Sequence, residues 1–372
     1  MTTTSTTTKE LWILGATGRS GRGVATALAA QGLHPVLCGR DQARLTATAQ
    51  AICTETGYTP ATRVFACIDD VVAALPRAAP AVVVNTVGPF VNTALPLVRA
   101  CPPGTHYVDL SNEAPATLDL LGEHDAAVRT GRTLVSGAGF GVLGTESVVT
   151  ALCAGRSTPV RVAVDAVPVV QGDGGVVGEA LAATIIDGFD VGGMRARGGV
   201  LVRSRLGSEV GRLTLPDGTK RTTLRGMPFA ELEAARRASG APDVTAGSSE
   251  VPSGGLVRLL LPVIAALLSR PAIAQWLKRR FAAVVLPKRP VETMRSSSWS
   301  HARVEWADGT VRVGWLQTGD AMDFTLRVMT EVVARLARGE GRAGAYTPAA
   351  LFGAALAEAC GGTLLLDAAV QN

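Results

Sequence analysis

The predicted fold of this chain is decided by the stretch Leu11-Trp12-Ile13-Leu14-Gly15-Ala16-Thr17-Gly18-Arg19-Ser20-Gly21. An apolar run leads into glycines with the spacing GxxGxxG, and a helix-patterned stretch follows them. Glycines let the backbone approach phosphate groups, and a helix amino terminus supplies N–H donors and a positive dipole end. The stretch therefore predicts a strand, a turn and a helix that bind a dinucleotide pyrophosphate, with contacts from Gly15, Thr17, Gly18, Arg19, Ser20 and Gly21.

The first third of the chain alternates short apolar runs with helix-patterned segments. Further strands are predicted at 35–38, 63–66, 81–85, 106–110 and 133–136. Short buried strands that alternate with helices are typical of a parallel sheet covered by helices on both faces. The sequence therefore predicts an α/β fold with a doubly wound parallel sheet.

The pattern changes beyond about residue 155. A strand is predicted at 160–170 and a helix at 178–186, and two hairpins are marked by Asp217-Gly218 and Asp308-Gly309, a dipeptide favoured in two-residue turns. Around the second hairpin, alternation predicts a sheet with one buried face that carries Ala302, Val304, Trp306, Val311, Val313 and Trp315. Helices are predicted again at 322–336 and 348–359. A mixed or antiparallel sheet in a second, α+β domain follows from these features.

We therefore divide the chain into three parts. Residues 1–150 form the dinucleotide-binding domain, in which 1–8 are a disordered leader without the apolar core of a signal peptide. Residues 151–320 form the α+β domain for substrate binding and dimerisation, and 321–372 are helices that return to the first domain. A length of 372 residues fits roughly two domains.

Composition indicates which partners to expect. Charged residues make up 18% of the chain and the net charge is +5, but the arginines are scattered and no aromatic–basic stripe accompanies them, so we expect no nucleic acid partner. The six cysteines show no CxxC pair and no histidine at ligand spacing. We therefore expect reduced thiols, no metal and a cytoplasmic location.

One segment is unusually apolar. Residues 256–268 are too short to span a bilayer and are interrupted by Arg258 and Pro262, and the basic stretch 276–281 follows. We favour a lid or a subunit-contact helix pair over contact with a membrane surface. Apolar helices in a substrate domain also fit a lipid-like substrate, and we expect a homodimer.

The end of the second predicted strand indicates which dinucleotide binds. NAD enzymes usually place Asp or Glu there to hold the ribose hydroxyls. Here the sequence is Cys38-Gly39-Arg40, and Asp41 comes one residue later, where it is suited to cap the next helix. An arginine at this position fits a 2′-phosphate, with Arg19 as a second candidate. We therefore expect NADP(H).

Several segments together resemble a known family. They are Gly15-Ala16-Thr17-Gly18-Arg19-Ser20-Gly21, Cys38-Gly39-Arg40-Asp41, Val84-Asn85-Thr86-Val87-Gly88-Pro89-Phe90 and Gly104-Thr105-His106-Tyr107-Val108-Asp109-Leu110-Ser111-Asn112-Glu113. In this order they resemble the NADP-binding half of saccharopine dehydrogenase-like oxidoreductases, including the bacterial trans-acting enoyl reductases. More loosely, 138–146 and 346–353 are also similar to that group. The resemblance implies a Rossmann domain, an inserted substrate domain and a reductase.

Within this frame, the segment after the fourth strand is expected to contact the cofactor. Its residues would lie at the carboxyl edge of the sheet, against the nicotinamide and the adenosine ribose. The expected contacts are Asn85, Thr86, Val87, Gly88, Pro89 and Phe90.

A polar cluster at the fifth strand is the predicted catalytic site. Hydride transfer requires alignment, exclusion of water and a proton source for the second atom of the reduced bond. We expect Tyr107 or His106 to supply the proton, and alternation along the strand favours Tyr107 with Asp109. The alternative is that Tyr107 is a buried structural residue bonded to a helix-capping Asp109. The expected substrate contacts are Asn112, Glu113 and Phe140.

Three functions remain open. The first is NADPH-dependent reduction of an activated C=C or a carbonyl in an apolar, acyl or polyketide-like substrate. The second is imine reduction, which predicts a carboxylate-binding pocket that uses Arg195, Arg197 or Arg203. The third is a non-catalytic NADP-binding sensor. A Ser/His/Asp hydrolase is disfavoured because no GxSxG motif occurs.

Overall fold

A computed structural model describes residues 10–170, 175–176, 192–251, 254, 267–268, 270–282, 285–286 and 297–367. The strands, numbered in chain order, are β1 (Leu11–Leu14), β2 (Pro35–Gly39), β3 (Ala61–Val64), β4 (Val82–Asn85), β5 (His106–Asp109), β6 (Thr133–Val135), β7 (Arg161–Val167), β8 (Gly175–Val176), β9 (Gly193–Arg197), β10 (Val200–Ser204), β11 (Glu209–Thr214), β12 (Lys220–Arg225), β13 (Asp243–Ser248), β14 (Val285–Leu286), β15 (Ser298–Glu305), β16 (Val311–Thr318), β17 (Gly344–Tyr346) and β18 (Thr363–Leu366). The helices are α1 (Arg19–Ala30), α2 (Gln42–Thr56), α3 (Ile68–Ala78), α4 (Phe90–Ala100), α5 (Ala114–Gly122), α6 (His124–Arg129), α7 (Phe140–Cys153), α8 (Ala230–Ser239), α9 (Pro271–Ala282), α10 (Ala321–Ala337), α11 (Pro348–Phe352) and α12 (Ala355–Ala359).

Seven strands form a fully parallel sheet in the order β3-β2-β1-β4-β5-β6-β17. The direction of winding reverses between β1 and β4, so a crevice opens at the carboxyl ends of these strands. Trp12 and Ile13 point to opposite sides of β1, and both are fully buried because helices cover both faces of the sheet. The predicted doubly wound parallel sheet is confirmed.

The turn between β1 and α1 depends on close backbone contacts. Gly15 has a φ of +74°, a conformation that favours glycine. A Cβ atom on Gly21 would lie 2.4 Å from the carbonyl oxygen of Gly15. Only a glycine at 21 therefore lets α1 begin directly against the turn.

The second sheet is mixed and has nine strands. Its main path runs β10-β9-β13-β7-β15-β16-β18, and β12 joins the β11–β12 hairpin to β13. The pair β13 and β7 is parallel, whereas the other pairs in this sheet are antiparallel. One face packs on α7 and α8, where Val162 and Ala302 share a core with Leu143 and Leu232. The predicted α+β architecture of this part of the chain is confirmed.

The expectation of a single buried face in this sheet is wrong. His301 pairs with Trp315 and Ala302 pairs with Gly314, so Trp315 points away from the face that carries Ala302. Trp315 instead packs edge-on against Trp299, with 6.1 Å between the ring centroids. Both rings are buried in a separate apolar cluster with Val167, Leu213 and Leu215.

Both predicted hairpins form, but their loops differ from the expected two-residue turns. Backbone pairing continues beyond the strands, because the Leu215 amide donates to Thr219 and the Trp306 amide donates to Thr310. Three residues therefore remain in each loop, at 216–218 and 307–309. Gly218 and Gly309 have φ of +81° and +84°, which suits a three-residue hairpin with glycine in the left-handed region.

The C-terminal part does not return to the first domain as a whole. The β17 strand joins the parallel sheet, but β18 pairs with β16 in the second sheet. The helix predicted at 348–359 is two helices, because Gly353 adopts a φ of +80° between α11 and α12. The expected boundary at residue 150 falls inside α7, which packs on the second sheet.

A buried carboxylate fixes the C-terminal segment to α7. Glu146 on α7 accepts hydrogen bonds from the hydroxyl of Thr347 and from the amides of Ala349 and Ala350, at 2.5, 3.0 and 3.0 Å. Burial raises the pKa of Glu146 to about 7. The Thr347 side chain therefore bonds to Glu146, and Thr347 makes no side-chain cap of α11.

Some predicted features lie outside the described residues: the leader 1–8, the helix 178–186 and most of the apolar segment 256–268. The basic stretch 276–281 falls in α9, where the Trp276 side chain is exposed. Among the described residues, no helix is both long and apolar enough to cross a bilayer.

The close contact at Gly21 predicts a large effect of one added methyl group. Gly21→Ala is expected to lower the free energy of unfolding by about 1–3 kcal/mol, because the Gly15 backbone has to shift. Gly122→Ala is the control, since nothing lies within 4 Å of a Cβ at that helical position. Urea denaturation measures both variants, and equal stabilities would contradict this account of the turn.

Candidate cofactor and substrate site

The glycine turn presents the amino end of α1 to the crevice. Gly18 occupies the N-cap position, no side chain caps the helix among the described residues, and the first turn contains no acidic residue. Gly18 and Arg19 are exposed. The backbone amides and the helix dipole at this end suit a diphosphate. The residues present therefore fit the pyrophosphate of a dinucleotide.

Asn85 and Thr86 hold the end of β4 in place. The Thr86 hydroxyl donates to the Leu14 carbonyl over 2.7 Å, which joins the carboxyl ends of β1 and β4. The Asn85 side chain is fully buried, and its amide group donates to Thr93 and Tyr107, at 3.0 Å each. Both side chains thus shape the crevice, and their predicted contacts with the cofactor remain predictions.

The loop 87–90 continues from this anchor. The Val87 amide donates to the side-chain oxygen of Asn85 over 2.9 Å, and the Gly88–Pro89 peptide is cis. Phe90 begins α4 and its ring is buried. The loop lies at the carboxyl edge, between the ends of β4 and β5, as expected.

Glu113 caps a helix rather than presenting a free carboxylate to a substrate. Its two oxygens accept the amides of Phe90 and Val91 over 3.0 and 2.9 Å, which places the charge at the positive end of α4. Glu113 also bridges to Phe229, just before α8. The backbone carbonyl of the neighbouring Asn112 accepts a hydrogen bond from the Ala230 amide, and Asn112 is exposed. The predicted substrate role of Glu113 is therefore not supported by its position.

The predicted catalytic residues of β5 lie at different depths. His106 begins the strand, at the edge opposite the crevice, and its Nδ1 accepts the Thr133 amide over 2.9 Å. A role for His106 in the reaction therefore conflicts with its position. Tyr107 is fully buried, and its hydroxyl oxygen accepts a hydrogen bond from the side-chain amide of Asn85. Direct proton transfer from Tyr107 to a substrate would require the hydroxyl to become accessible.

Asp109 ends β5 beneath the crevice. One of its oxygens accepts three hydrogen bonds, from the Ser111 amide, the Ser136 hydroxyl and the Gly137 amide, at 3.0, 2.9 and 3.1 Å. Burial raises the pKa of Asp109 to about 6, although these hydrogen bonds lower it. Asp109 thus fixes the loop between β6 and α7.

Arg40 follows β2 at the carboxyl edge and is exposed. Asp41 caps α2, because its side chain accepts the Arg44 amide over 3.0 Å, so this prediction is confirmed. Arg40 therefore lies beside the adenosine half of the predicted dinucleotide site. No acidic residue occupies the position at the end of β2 that holds the ribose hydroxyls in NAD enzymes.

The first turn of α10 connects the glycine turn with the start of α7. The Ser20 hydroxyl lies 3.8 Å from the Met322 sulfur, and the Thr325 hydroxyl accepts the Phe140 amide over 3.0 Å. The buried ring of Phe140 packs edge-on against Phe324, with centroids 6.2 Å apart. The amino ends of α1, α7 and α10 therefore meet around one crevice.

A second-domain carboxylate that no sequence motif singles out lies against the start of α7, at the carboxyl edge of the parallel sheet. Glu231 on α8 is buried, and its Oε2 has no hydrogen-bond partner among the described residues. Its Oε1 lies where a Cβ on Gly141 would be only 2.0 Å away, at the start of α7. In the sequence, Glu231 resembles an ordinary acidic residue in the first turn of a helix, and no local pattern reveals its burial.

The arginines predicted for a carboxylate pocket do not all share one face, because Arg195 and Arg197 lie on one side of β9 and Arg203 on the other. In the β9–β10 pair, Arg195 lies opposite Val202 and Arg203 lies opposite Met194. Because paired residues point to the same side, Arg203 and Arg195 point to opposite sides of the sheet. No group of three or more potential metal ligands occurs in the part of the chain that the structure describes.

The fold is a doubly wound α/β domain with a second domain inserted before the last strand of its parallel sheet, and its crevice fits a dinucleotide. The structure resembles apo saccharopine dehydrogenase (L-Glu forming) from Saccharomyces cerevisiae, with a TM-score of 0.57, 12% sequence identity, and coverage of 97% of this chain and 100% of that one. The chain therefore has a saccharopine dehydrogenase-like fold, as the sequence predicts.

Short-chain dehydrogenase structures match a smaller part. A short-chain dehydrogenase from Sphingobium yanoikuyae in complex with NADPH has a TM-score of 0.30 and 18% identity, and covers 34% of this chain and 71% of its own. L-sorbose reductase from Gluconobacter frateurii, complexed with NADPH and L-sorbose, has a TM-score of 0.29 and 16% identity over 34% of this chain and 68% of its own. No protein-family model and no curated protein matches the chain.

The burial of Asp109 predicts a pH-dependent stability. Its pKa is 3.8 ordinarily and about 6 in the fold, so the folded protein binds more protons than the unfolded chain between these values. The stability of the native protein relative to Asp109→Asn should therefore fall by about 3 kcal/mol as the pH rises from about 4 to 6, and level off above that.

Urea denaturation of both proteins from pH 4 to pH 8 measures this difference. Asp119→Asn is the matched control, because Asp119 is exposed and its variant should run parallel to the native protein. A pH-independent difference between the native protein and Asp109→Asn would show that Asp109 titrates normally.

Proposed function

We propose that this protein is an NADP(H)-dependent oxidoreductase that reduces an activated C=C or a carbonyl group of an apolar substrate. The observation that carries the proposal is the glycine turn at the amino end of α1, where an added Cβ on Gly21 would strike the backbone of Gly15. This cradle faces the crevice between β1 and β4, the position at which doubly wound sheets bind dinucleotides.

The choice of NADP(H) is supported by Arg40. It follows β2 directly and is exposed, whereas the nearby Asp41 is engaged in capping α2. A guanidinium group at this position can bind a 2′-phosphate through charge-assisted hydrogen bonds. Arg19, in the first turn of α1, is exposed on the same edge.

A bound nicotinamide would supply the hydride, and the chain supplies the site. The 87–90 loop, fixed by Asn85 and by the Glu113 cap, would orient the nicotinamide half of the cofactor. The buried network of Asn85, Tyr107 and Thr93 holds this loop from below. We therefore assign Tyr107 a positioning role and keep its direct participation as the alternative.

An apolar substrate is supported by the side chains at the mouth of the crevice. Phe140 is buried and Val87, Phe229 and Met322 are partly exposed on elements that meet there. Imine reduction of an amino acid would predict a pocket of arginines, but Arg195 and Arg203 point to opposite sides of the second sheet and cannot share one pocket. Reduction of an acyl or carbonyl compound is therefore favoured over imine reduction.

Deuteride transfer tests the proposed activity. The purified protein is incubated with an extract of its host and with NADPH that carries deuterium at the 4R or the 4S position, and the products are analysed by mass spectrometry. We expect one labelled apolar metabolite from one of the two labels. Its structure distinguishes reduction of C=C, C=O and C=N bonds. NADPH binding without any labelled product would favour a cofactor-binding sensor.

The position of Arg40 predicts a change in cofactor preference. Arg40→Asp is expected to raise the Kd for NADPH about 10- to 100-fold, because a charge-assisted contact with the 2′-phosphate is replaced by repulsion. The Kd for NADH should stay the same or fall, because an acidic residue suits the ribose hydroxyls. Calorimetric titration with both cofactors measures the two constants.

Arg77→Asp is the control for the charge change. Arg77 lies exposed in the last turn of α3, away from the carboxyl ends of the strands. It should leave both constants unchanged. Equal weakening of NADPH and NADH in Arg40→Asp would refute the assignment of Arg40 to the 2′-phosphate.

A further inference from the structure

We propose that Glu231 is the residue that donates the proton to the substrate, and that its carboxyl group lies beside the nicotinamide half of the cofactor site. This inference rests on the proposed reductase function and deepens it. It assigns the acid to the second domain, not to the β5 cluster that the sequence analysis favoured.

The position of Glu231 relative to the parallel sheet places it beside the nicotinamide half of the cofactor. The α7 helix starts after the carboxyl end of β6, on the side of the sheet beyond β4. The adenosine half of a dinucleotide occupies the β1–β3 side, so the nicotinamide half occupies the β4–β6 side. Glu231 lies against Gly141 in the first turn of α7 and hence on the nicotinamide side.

Backbone hydrogen bonds attach the start of α8 to the carboxyl edge of the parallel sheet. The Ala230 amide donates to the Asn112 carbonyl over 2.8 Å, and the Ala114 amide donates to the Pro228 carbonyl over 2.9 Å. These bonds fix the start of α8 to the loop that follows the carboxyl end of β5. Glu231, the residue after Ala230, is therefore held at this edge of the parallel sheet.

The carboxyl group of Glu231 is buried and has an oxygen without a hydrogen-bond partner among the described residues. Glu231 is 6% exposed, and this oxygen is its Oε2. A buried polar atom without a partner costs free energy, and native structures retain few of them. Of the neighbouring carboxylates, Glu113 has both oxygens bonded to backbone amides. Asp109 also has a buried oxygen without a partner in the described part of the chain, Oδ2, but three hydrogen bonds to its Oδ1 fix it beneath the crevice. Glu231 lies instead at the start of α7, where its unpartnered oxygen is left for a ligand.

The charges around Glu231 favour its protonated form. Burial, together with the smaller effect of the negative charge of Glu250 after β13, raises its pKa to about 7. Glu233, two residues further along α8, is engaged by Arg236 and Arg237. The first turn of α7 contains no charged residue. A carboxyl group that titrates near neutral pH is suited to general acid catalysis.

A hydride and a proton add to the two atoms of the substrate double bond. The electrophilic carbon of the C=X group gains a hydride, the π bond breaks, and its electron pair moves to X. The atom X then takes the Glu231 proton, so new C–H and X–H bonds form. The substrate is reduced by two electrons while the nicotinamide is oxidised, and the Glu231 carboxylate regains its proton from water.

Cofactor binding tests the position of Glu231 without any substrate. The oxidised nicotinamide ring carries a positive charge and the reduced ring is neutral, so an ionised Glu231 beside the ring should favour NADP⁺. In Glu231→Gln at pH 8.5, the ratio of the Kd for NADP⁺ to the Kd for NADPH is expected to rise about tenfold. At pH 5.5, where Glu231 is protonated, the variant and the native protein should have similar ratios.

A second variant displaces the carboxyl group without removing it. In Gly141→Ala, the new methyl group would lie 2.0 Å from Glu231 Oε1, at the flexible end of the side chain, so the carboxyl group has to move. We expect a change in the same direction as in Glu231→Gln. Gly122→Ala is the control for the added methyl group, and Glu55→Gln, on the exposed face of α2, is the control for lost charge. This variant also decides the question if Glu231→Gln does not fold.

Deuteride transfer to the metabolite found for the native protein tests proton donation. Glu231→Gln should transfer at least about 100-fold more slowly with its NADPH affinity retained, and the pH dependence near 7 should disappear. Native-like transfer, or an unchanged NADP⁺ to NADPH ratio in both variants at pH 8.5, would overturn the proposal. Failure of the native protein to bind either cofactor would instead refute the proposed function.

Discussion

The contact between Gly21 and the carbonyl oxygen of Gly15 is the constraint on which the rest of the site depends. It brings the amino end of α1 to the carboxyl end of β1, and the Thr86 hydroxyl then joins the end of β4 to the same point through Leu14. Because winding reverses between these two strands, the contact also determines where the crevice opens. The α10 helix lies against this turn through Met322, so the C-terminal part of the chain closes one side of the site.

Buried and half-buried carboxylates organise the remaining walls. Glu113 caps α4, Asp109 holds the loop before α7, and Glu146 fixes the segment that leads into α11. In each case the carboxylate accepts backbone N–H groups, which offsets part of the cost of burying the charge. In the second sheet, Asp165 uses a different solution, because Arg225 and His301 bond to it and its pKa is held well below the ordinary range. Among the described residues, Glu231 and Asp109 each keep one buried oxygen without a partner, and of the two Glu231 lies at the start of α7.

Local patterns in the sequence predict the parts of the fold that depend on neighbouring residues. The glycine turn, the parallel strands, the Asp41 cap and the two hairpins are all of this kind. The errors arise where distant segments decide the outcome. The face to which Trp315 points depends on strand register, and the position of Glu113 depends on the loop after β5 meeting the start of α4. Glu231 could not be found because only the folded chain places it against Gly141.

Amide hydrogen exchange with and without NADPH tests the central claim that this crevice binds the cofactor. The account predicts slower exchange on binding in three places: the 15–21 turn, the 86–91 segment and the first turn of α7. Exchange in the 216–218 loop of the second domain should not change. Cofactor binding that leaves the glycine turn and the 86–91 segment unprotected, or that protects only residues away from the carboxyl edge of the parallel sheet, would contradict the account.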